Sequence, residues 1–157
     1  MSATTTADRE LVTTRLVNAP RELVWEVWTN PEHVIHWWGP DGFTNTIYEM
    51  EVKPGGIWRF MMHGPDGTDY PNKIVFTEVV KPERIVYAHS SDDENPAIHF
   101  HNTIIFEKQG NKTNIIMTAL FSSAEVRDRV VKAANAVEGG KQTLRKLEEY
   151  IQNNQLK

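Results

Sequence analysis

The chain reads as an α+β domain with one strand, two short helices, a run of antiparallel strands and a long C-terminal helix. Two observations carry this reading. From about residue 43 to residue 121 apolar and polar residues alternate in short segments joined only by turn strings, so successive strands pair antiparallel. Helical signals are confined to the stretch from Arg21 to the His36–Pro40 string and to the stretch after Ser123, on either side of that run.

Glu10–Asn18 (ELVTTRLVN) has the β-branched and apolar content of a strand, and Ala19-Pro20 ends it because proline has no N–H to donate. Pro20 suits the start of a helix. Arg21–Thr29 (RELVWEVWT) sets Leu23 with Val27 and Val24 with Trp28 at i,i+4, a broad apolar face that also takes in Trp25. Asn30-Pro31-Glu32 is an N-cap, a proline at N1 and an acidic first turn, so a second short helix begins at Pro31 and ends at His36-Trp37-Trp38-Gly39-Pro40.

Phe43–Glu51 alternates as a strand and runs through Lys53-Pro54-Gly55-Gly56 into Ile57–His63. In that second arm Trp58, Phe60 and Met62 share one face, and Arg59, Met61 and His63 share the other. A face of Trp, Phe and Met needs a large cover. Gly64-Pro65-Asp66-Gly67 is a turn, and Thr68–Val80 is a strand that Pro71 marks as an edge or bulge, open to pairing with a second copy. Arg84–His89, Ile98–Lys108 and Thr113–Phe121 complete the run, with an acidic loop, Ser90–Pro96, between the first two.

Ser122-Ser123-Ala124-Glu125 has the spacing of a capping box. From it Val126, Val130, Ala134, Val137, Leu144, Leu147 and Ile151 form one stripe at helical steps, the cover the aromatic strand needs. Gly139-Gly140 interrupts the stripe, at about 1 kcal/mol per glycine, and predicts a kink, a close approach to the sheet or a space left for something else.

With 157 residues, 39% of them hydrophobic, the chain has room for one domain, placed at 10–153 after a flexible leader over 1–9. The net charge of -4 and scattered basic residues give no footprint for nucleic acid or an anionic membrane surface. There is no cysteine, hence no disulfide framework or thiolate site, which fits a reducing cytoplasm. No apolar run is long enough to span a membrane or serve as a signal segment.

Several strings together resemble a known family. They are Asn18-Ala19-Pro20 leading into Val24-Trp25, Trp28-Thr29-Asn30-Pro31, Trp37-Trp38-Gly39-Pro40, Lys53-Pro54-Gly55-Gly56 with Trp58, Gly64–Gly67 with Tyr70, Phe76 to Arg84, and Glu138-Gly139 to Leu144. The chain resembles the helix-grip fold of the Bet v 1/START-related superfamily. Within it, the chain is similar to the group named after the C-terminal domain of the activator of the heat shock protein 90 ATPase. The resemblance implies a curved antiparallel sheet gripping the C-terminal helix, with a cavity between them that holds a hydrophobic ligand in many relatives. Many relatives also carry a bulky Trp where this chain has Gly140, so the cavity here is expected to be larger or to be filled by Trp58 or Trp25.

The resemblance does not fix one activity. The expected role is binding of a small hydrophobic or amphipathic molecule without catalysis, cofactor or metal. Alternation and resemblance together nominate Trp25, Trp28, Trp38, Phe43, Trp58, Phe60, Met62, Tyr70, Phe76, His89, His99, His101, Met117, Val137 and Gly140 as lining residues. His99 and His101 share a strand face, and with His89 they are the residues a metal site or a polyketide-cyclase-like enzyme would draw on. Arg59 is expected to face solvent and pair with an acidic neighbour. A protein-interaction module related to the chaperone activator, or a homodimer, is the alternative from a different class.

Overall fold

The computed structural model describes residues 9–91, 98–134 and 136–154; the leader over 1–8 and most of the acidic loop lie outside them. Seven strands form one antiparallel sheet: β1 (Glu10–Val17), β2 (Thr44–Met50), β3 (Ile57–His63), β4 (Asp69–Val80), β5 (Arg84–Ser91), β6 (Ile98–Gln109) and β7 (Lys112–Leu120). Their order across the sheet is β1-β7-β6-β5-β4-β3-β2, so every neighbouring pair except β1 with β7 is consecutive in the chain. Helices α1 (Arg21–Thr29) and α2 (Pro31–Val34) carry the chain from one edge of the sheet to the other, and α3 (Ala124–Ala134) and α4 (Ala136–Asn153) follow β7.

Local chemistry accounts for the boundaries. The Asn30 side chain accepts the Glu32 N–H at 3.0 Å and Pro31 occupies N1, as the sequence predicts for α2. Between β2 and β3, Lys53-Pro54-Gly55-Gly56 is a turn with proline first, Gly55 at φ 81° and the Gly56 N–H on the Lys53 carbonyl at 2.8 Å. Gly56 cannot be replaced without rearrangement, because a Cβ there would lie 2.1 Å from the Glu51 carbonyl oxygen.

Two expectations are corrected at the sheet. β4 is not an edge: it lies between β3 and β5, and Pro71 pairs with Met61 of β3. Described pairing with β5 begins only at Asn72–Ser91, so Pro71 sits beyond it on that side, and the bulge falls at Phe76/Glu78 instead. The edges of the sheet are β1 and β2.

The C-terminal stripe is helical as expected: α3 and α4 are its described parts, residue 135 lies outside the described residues, and Gly139 and Gly140 both lie within α4. Gly140 marks a close approach: a Cβ there would come within 2.9 Å of Thr13 Oγ1 on β1, whereas one on Gly139 would meet only Pro40, at 3.5 Å. The cap of α3 is Ser123, whose Oγ accepts the Val126 N–H at 3.1 Å. The position a box would need for its carboxylate is therefore held by Val126, and Glu125 is one residue early.

α4 lies against β1 and is tied down at several points. Glu148 accepts from Arg15 at 2.9 Å through one carboxylate oxygen and from the Asn18 N–H at 2.7 Å through the other. Lys146 Nζ donates to the carbonyls of Gly39 and Pro40, Arg145 pairs with Asp41, and Tyr150 Oη lies 2.7 Å from His33 Nδ1. Burial holds the Lys146 ammonium below its usual pKa. Leu144, Leu147 and Ile151 supply the buried face, and Arg59 reaches out to Glu49 on the opposite surface of the sheet, as expected.

Candidate functional site

The aromatic residues answer the question of what fills the space between sheet and helices. Trp58 and Phe60 stack at 4.4 Å between centroids, and Trp38 meets the Trp58 ring edge-on at 4.9 Å. Trp28 packs on both Trp37 and Trp38, and Trp25 packs on Phe106. All of these rings, together with Phe76, are buried. At the β2–β5 end of the sheet Trp38, Trp58, Phe60 and Phe76 form core, and Trp25 and Trp28 extend that core onto Phe106 of β6. Trp58 Nε1 is itself buried with no hydrogen-bond partner, which fits a ring placed by packing.

A space remains at the other end. A partly enclosed cavity of about 150 Å3 lies between the sheet and Gly140 of α4. Leu11 and Thr13 of β1, Met117 and Ala119 of β7, and Phe100 and Asn102 of β6 line it, and Phe121 closes it beyond the end of β7. Strand register puts these side chains together: Leu11, Ala119 and Asn102 are direct cross-strand neighbours in one row, and Thr13 and Met117 are neighbours in the next. The described lining residues are largely apolar, and none of them carries an ionisable side chain.

Thr13 and Asn102 are the polar residues of the described lining, and Asn102 carries the larger polar group. It is 6% exposed, and its Nδ2 donates to Tyr87 Oη at 2.8 Å across the β5–β6 pair. Its Oδ1 is buried with no hydrogen-bond partner. Burial pushes the Tyr87 phenol far above its usual pKa, and the hydrogen bond from Asn102 offsets only part of that, so the pair stays neutral at any physiological pH.

Of the nominated lining residues, Met117 and Gly140 border this cavity. Met62 packs partly buried against the core, Phe43 stands over Tyr70, and Tyr70 is exposed at 43%; Val137 is half-buried on α4. His89 faces inward, 4.9 Å from the Phe100 ring, and its Nε2 lies 2.8 Å from Asn72 Oδ1. His101 is exposed on the outer face of β6, opposite to Asn102, while the His99 side chain lies outside what the structure describes. The imidazoles of His89 and His101 are therefore on opposite faces of the sheet. Among the described residues no group of three or more His, Asp and Glu side chains is placed to hold a metal ion.

Phe100, Asn102, Leu11, Thr13, Ala119 and Phe121 are the lining residues that sequence reasoning missed. The signal for β6 was the buried Ile104 and Phe106, which share a parity with Phe100 and Asn102. Ile105 beside them is also apolar yet 36% exposed, and it lends the other parity, that of His99 and His101, an apolar residue too.

Two further features lie outside this cavity. Between α2 and β2 is an open surface groove of about 550 Å3, formed by residues including Ile35, His36, Ile47, Tyr48 and Met50. On the outer face of β2–β4, Asp69 Oδ1 lies 2.7 Å from His63 Nδ1, and His63 Nε2 lies 2.8 Å from Thr46 Oγ1. That order of groups is the one a hydrolase uses, but all three are solvent-exposed on open strands, and none borders the cavity. It is a cross-strand ladder.

The strand order with its covering C-terminal helices defines a helix-grip protein of the Bet v 1 type. Solved structures with this fold include a protein from Arthrobacter aurescens (TM-score 0.86, 22% identity, 96% of this chain and 90% of that one). A protein from Nitrosomonas europaea has a TM-score of 0.82 at 23% identity, covering 96% and 99%. One from Mycobacterium smegmatis has a TM-score of 0.81 at 23% identity, covering 92% and 91%. Residues 18–152 match the model of the family described as Activator of Hsp90 ATPase homolog 1-like protein, and the chain belongs to that family. No curated protein matches it. Among the described residues no helix is long and apolar enough to cross a membrane.

Proposed function

We propose that this protein binds one small, largely apolar molecule in the cavity between β1, β6, β7 and Gly140 of α4. The observation that carries the reading is the cavity itself, an apolar space of about 150 Å3 left beside an otherwise filled aromatic core. Cavities of roughly this size with apolar linings hold a benzene-sized guest, whereas drug-sized ligands need about 300 Å3 or more. The ligand is therefore a single ring or a short chain. Burial of its surface, at about 25 cal/mol per Å2, supplies the affinity. Among the described lining residues none is ionisable, which favours carriage or sensing over acid–base catalysis.

The test is titration of methyl-labelled protein with toluene. The Met117 methyl resonance should shift and saturate in the natural chain, and the shift should disappear in Ala119→Leu, whose added carbons occupy the same space. An unmoved Met117 signal at toluene saturation would remove the reading. A second reading, docking of a protein partner, is favoured by the α2–β2 groove, where Ile47 and Met50 border the exposed Tyr48 on an edge strand.

A further inference from the structure

The two edges of the sheet differ. β2 carries a bulge between Ile47 and Glu49, whereas β1 keeps one register against β7 along its whole length. The Phe121 N–H donates to the Arg9 carbonyl at 2.9 Å, which makes Arg9–Phe121 a hydrogen-bonded pair. Such pairs alternate along an antiparallel ladder, so Leu11, Thr13, Arg15 and Val17 bond to β7, while Glu10, Val12, Thr14, Leu16 and Asn18 turn their backbone groups outward. Both ends of that outward row are occupied. Arg127 Nε of α3 donates to the Glu10 carbonyl at 2.9 Å, and the Asn18 N–H donates to Glu148 Oε2 of α4 at 2.7 Å. Among the described residues nothing bonds the outward groups of Val12, Thr14 and Leu16 between them. Their side chains lie on the face of the sheet away from α4, and Val12 and Leu16 are 55% and 47% exposed. An unpaired backbone row beside exposed apolar side chains is a template for another strand.

We infer that the occupant of this edge is β1 of a second copy of the chain, paired antiparallel about a two-fold axis at Thr14. In that register Thr14 faces Thr14, and Val12 faces Leu16 of the second copy, at both ends of the pairing. Every outward N–H of the three residues then meets an outward carbonyl, and each exposed Val meets an exposed Leu. The same register sets Glu10 opposite Asn18 of the second copy. The Arg127 guanidinium that covers Glu10 therefore comes against the Glu148 carboxylate that covers Asn18 in the other chain. Arg127 commits Nε to Glu10 and Nη1 to Asp128, which leaves Nη2 for that carboxylate. This charge match selects a second copy and its direction, because in-register parallel pairing would bring guanidinium to guanidinium and carboxylate to carboxylate. Pairing over so short a row buries less than the roughly 1,000 Å2 of a stable interface, so the dimer is weak and forms in roughly the micromolar to millimolar range.

The test is sedimentation velocity of the full chain from about 10 μM to about 1 mM, over which the natural chain should pass from monomer towards dimer. Thr14→Pro removes one outward N–H from each copy and spares the ladder to β7, since proline is accepted on an edge strand where its nitrogen faces solvent. It should raise the dimer dissociation constant at least about tenfold. Leu16→Lys sets a charge on the same edge and should also weaken the dimer; it carries the test where Thr14→Pro does not fold. The register is read by cross-linking, in a chain with no cysteine of its own. Under mild oxidation Thr14→Cys should give a disulfide-linked dimer, because facing residues of a hydrogen-bonded pair lie about 5.5 Å apart between Cα atoms. Val12→Cys should not, because its counterpart lies about 13 Å further along the strand. A chain that stays monomeric at about 1 mM overturns the inference. So does a dimer that neither Thr14→Pro nor Leu16→Lys weakens, and so does one that cross-links through Val12→Cys in preference to Thr14→Cys.

Discussion

Ala119→Leu tests the existence of the cavity through the sign of its effect on stability. Ala119 lies between Leu11 and Asn102 in the β1-β7-β6 row and its side chain borders the open space. Leucine adds three carbons. At about 0.8 kcal/mol per buried methylene the gain approaches about 2.4 kcal/mol, less roughly 0.5–1 kcal/mol of lost rotamer freedom. The net expectation is a stabilisation of about 1.5 kcal/mol. For a chain of this size that corresponds to a rise in Tm of roughly 3–6 °C, read by thermal unfolding followed in the far ultraviolet. The reasoning is refuted if Tm falls, because overpacking a filled interior costs about 1–3 kcal/mol and would mean that no such space exists.

Two other outcomes follow from the fold. Burial keeps Tyr87 neutral in the folded chain well beyond pH 10, while the unfolded phenol ionises near its ordinary value of 10.0. The folded state then holds the extra proton, so stability is full below pH 10 and falls above it by up to about 1.4 kcal/mol per pH unit; urea titrations from pH 9 to 11.5 should show this slope reduced in Tyr87→Phe. Ser123→Ala should cost about 1 kcal/mol in the same titrations at neutral pH, and Ser122→Ala should cost much less, because only Ser123 caps α3.

The elements were legible in the sequence because their chemistry is local. Asn30-Pro31 and Lys53-Pro54-Gly55-Gly56 fix a helix start and a turn by their own side chains and dihedral preferences, and strict alternation in β3 assigned Trp58 and Phe60 to the inner face. Local patterns failed where two solutions were close in energy. Adjacent serines at 122 and 123 offer two caps one residue apart, and adjacent isoleucines at 104 and 105 leave the parity of β6 undecided. The position of the cavity is set by something longer in range, the placement of α4 along β1. Close contact of Gly140 with Thr13 and the Arg15–Glu148 pair fix that placement, and no single segment encodes it. Pro71 was misread for the same kind of reason: that β4 lies inside the sheet, between β3 and β5, is set by strand order and not by any local string.

Two apolar concavities compete for any small ligand: the cavity under α4 and the larger groove between α2 and β2. Intermolecular nuclear Overhauser effects from bound toluene to the protein methyl groups separate them directly. The account predicts contacts to Met117 and Ala119. Contacts confined to Ile35, Ile47 and Met50 would contradict it and place the ligand on the outer surface.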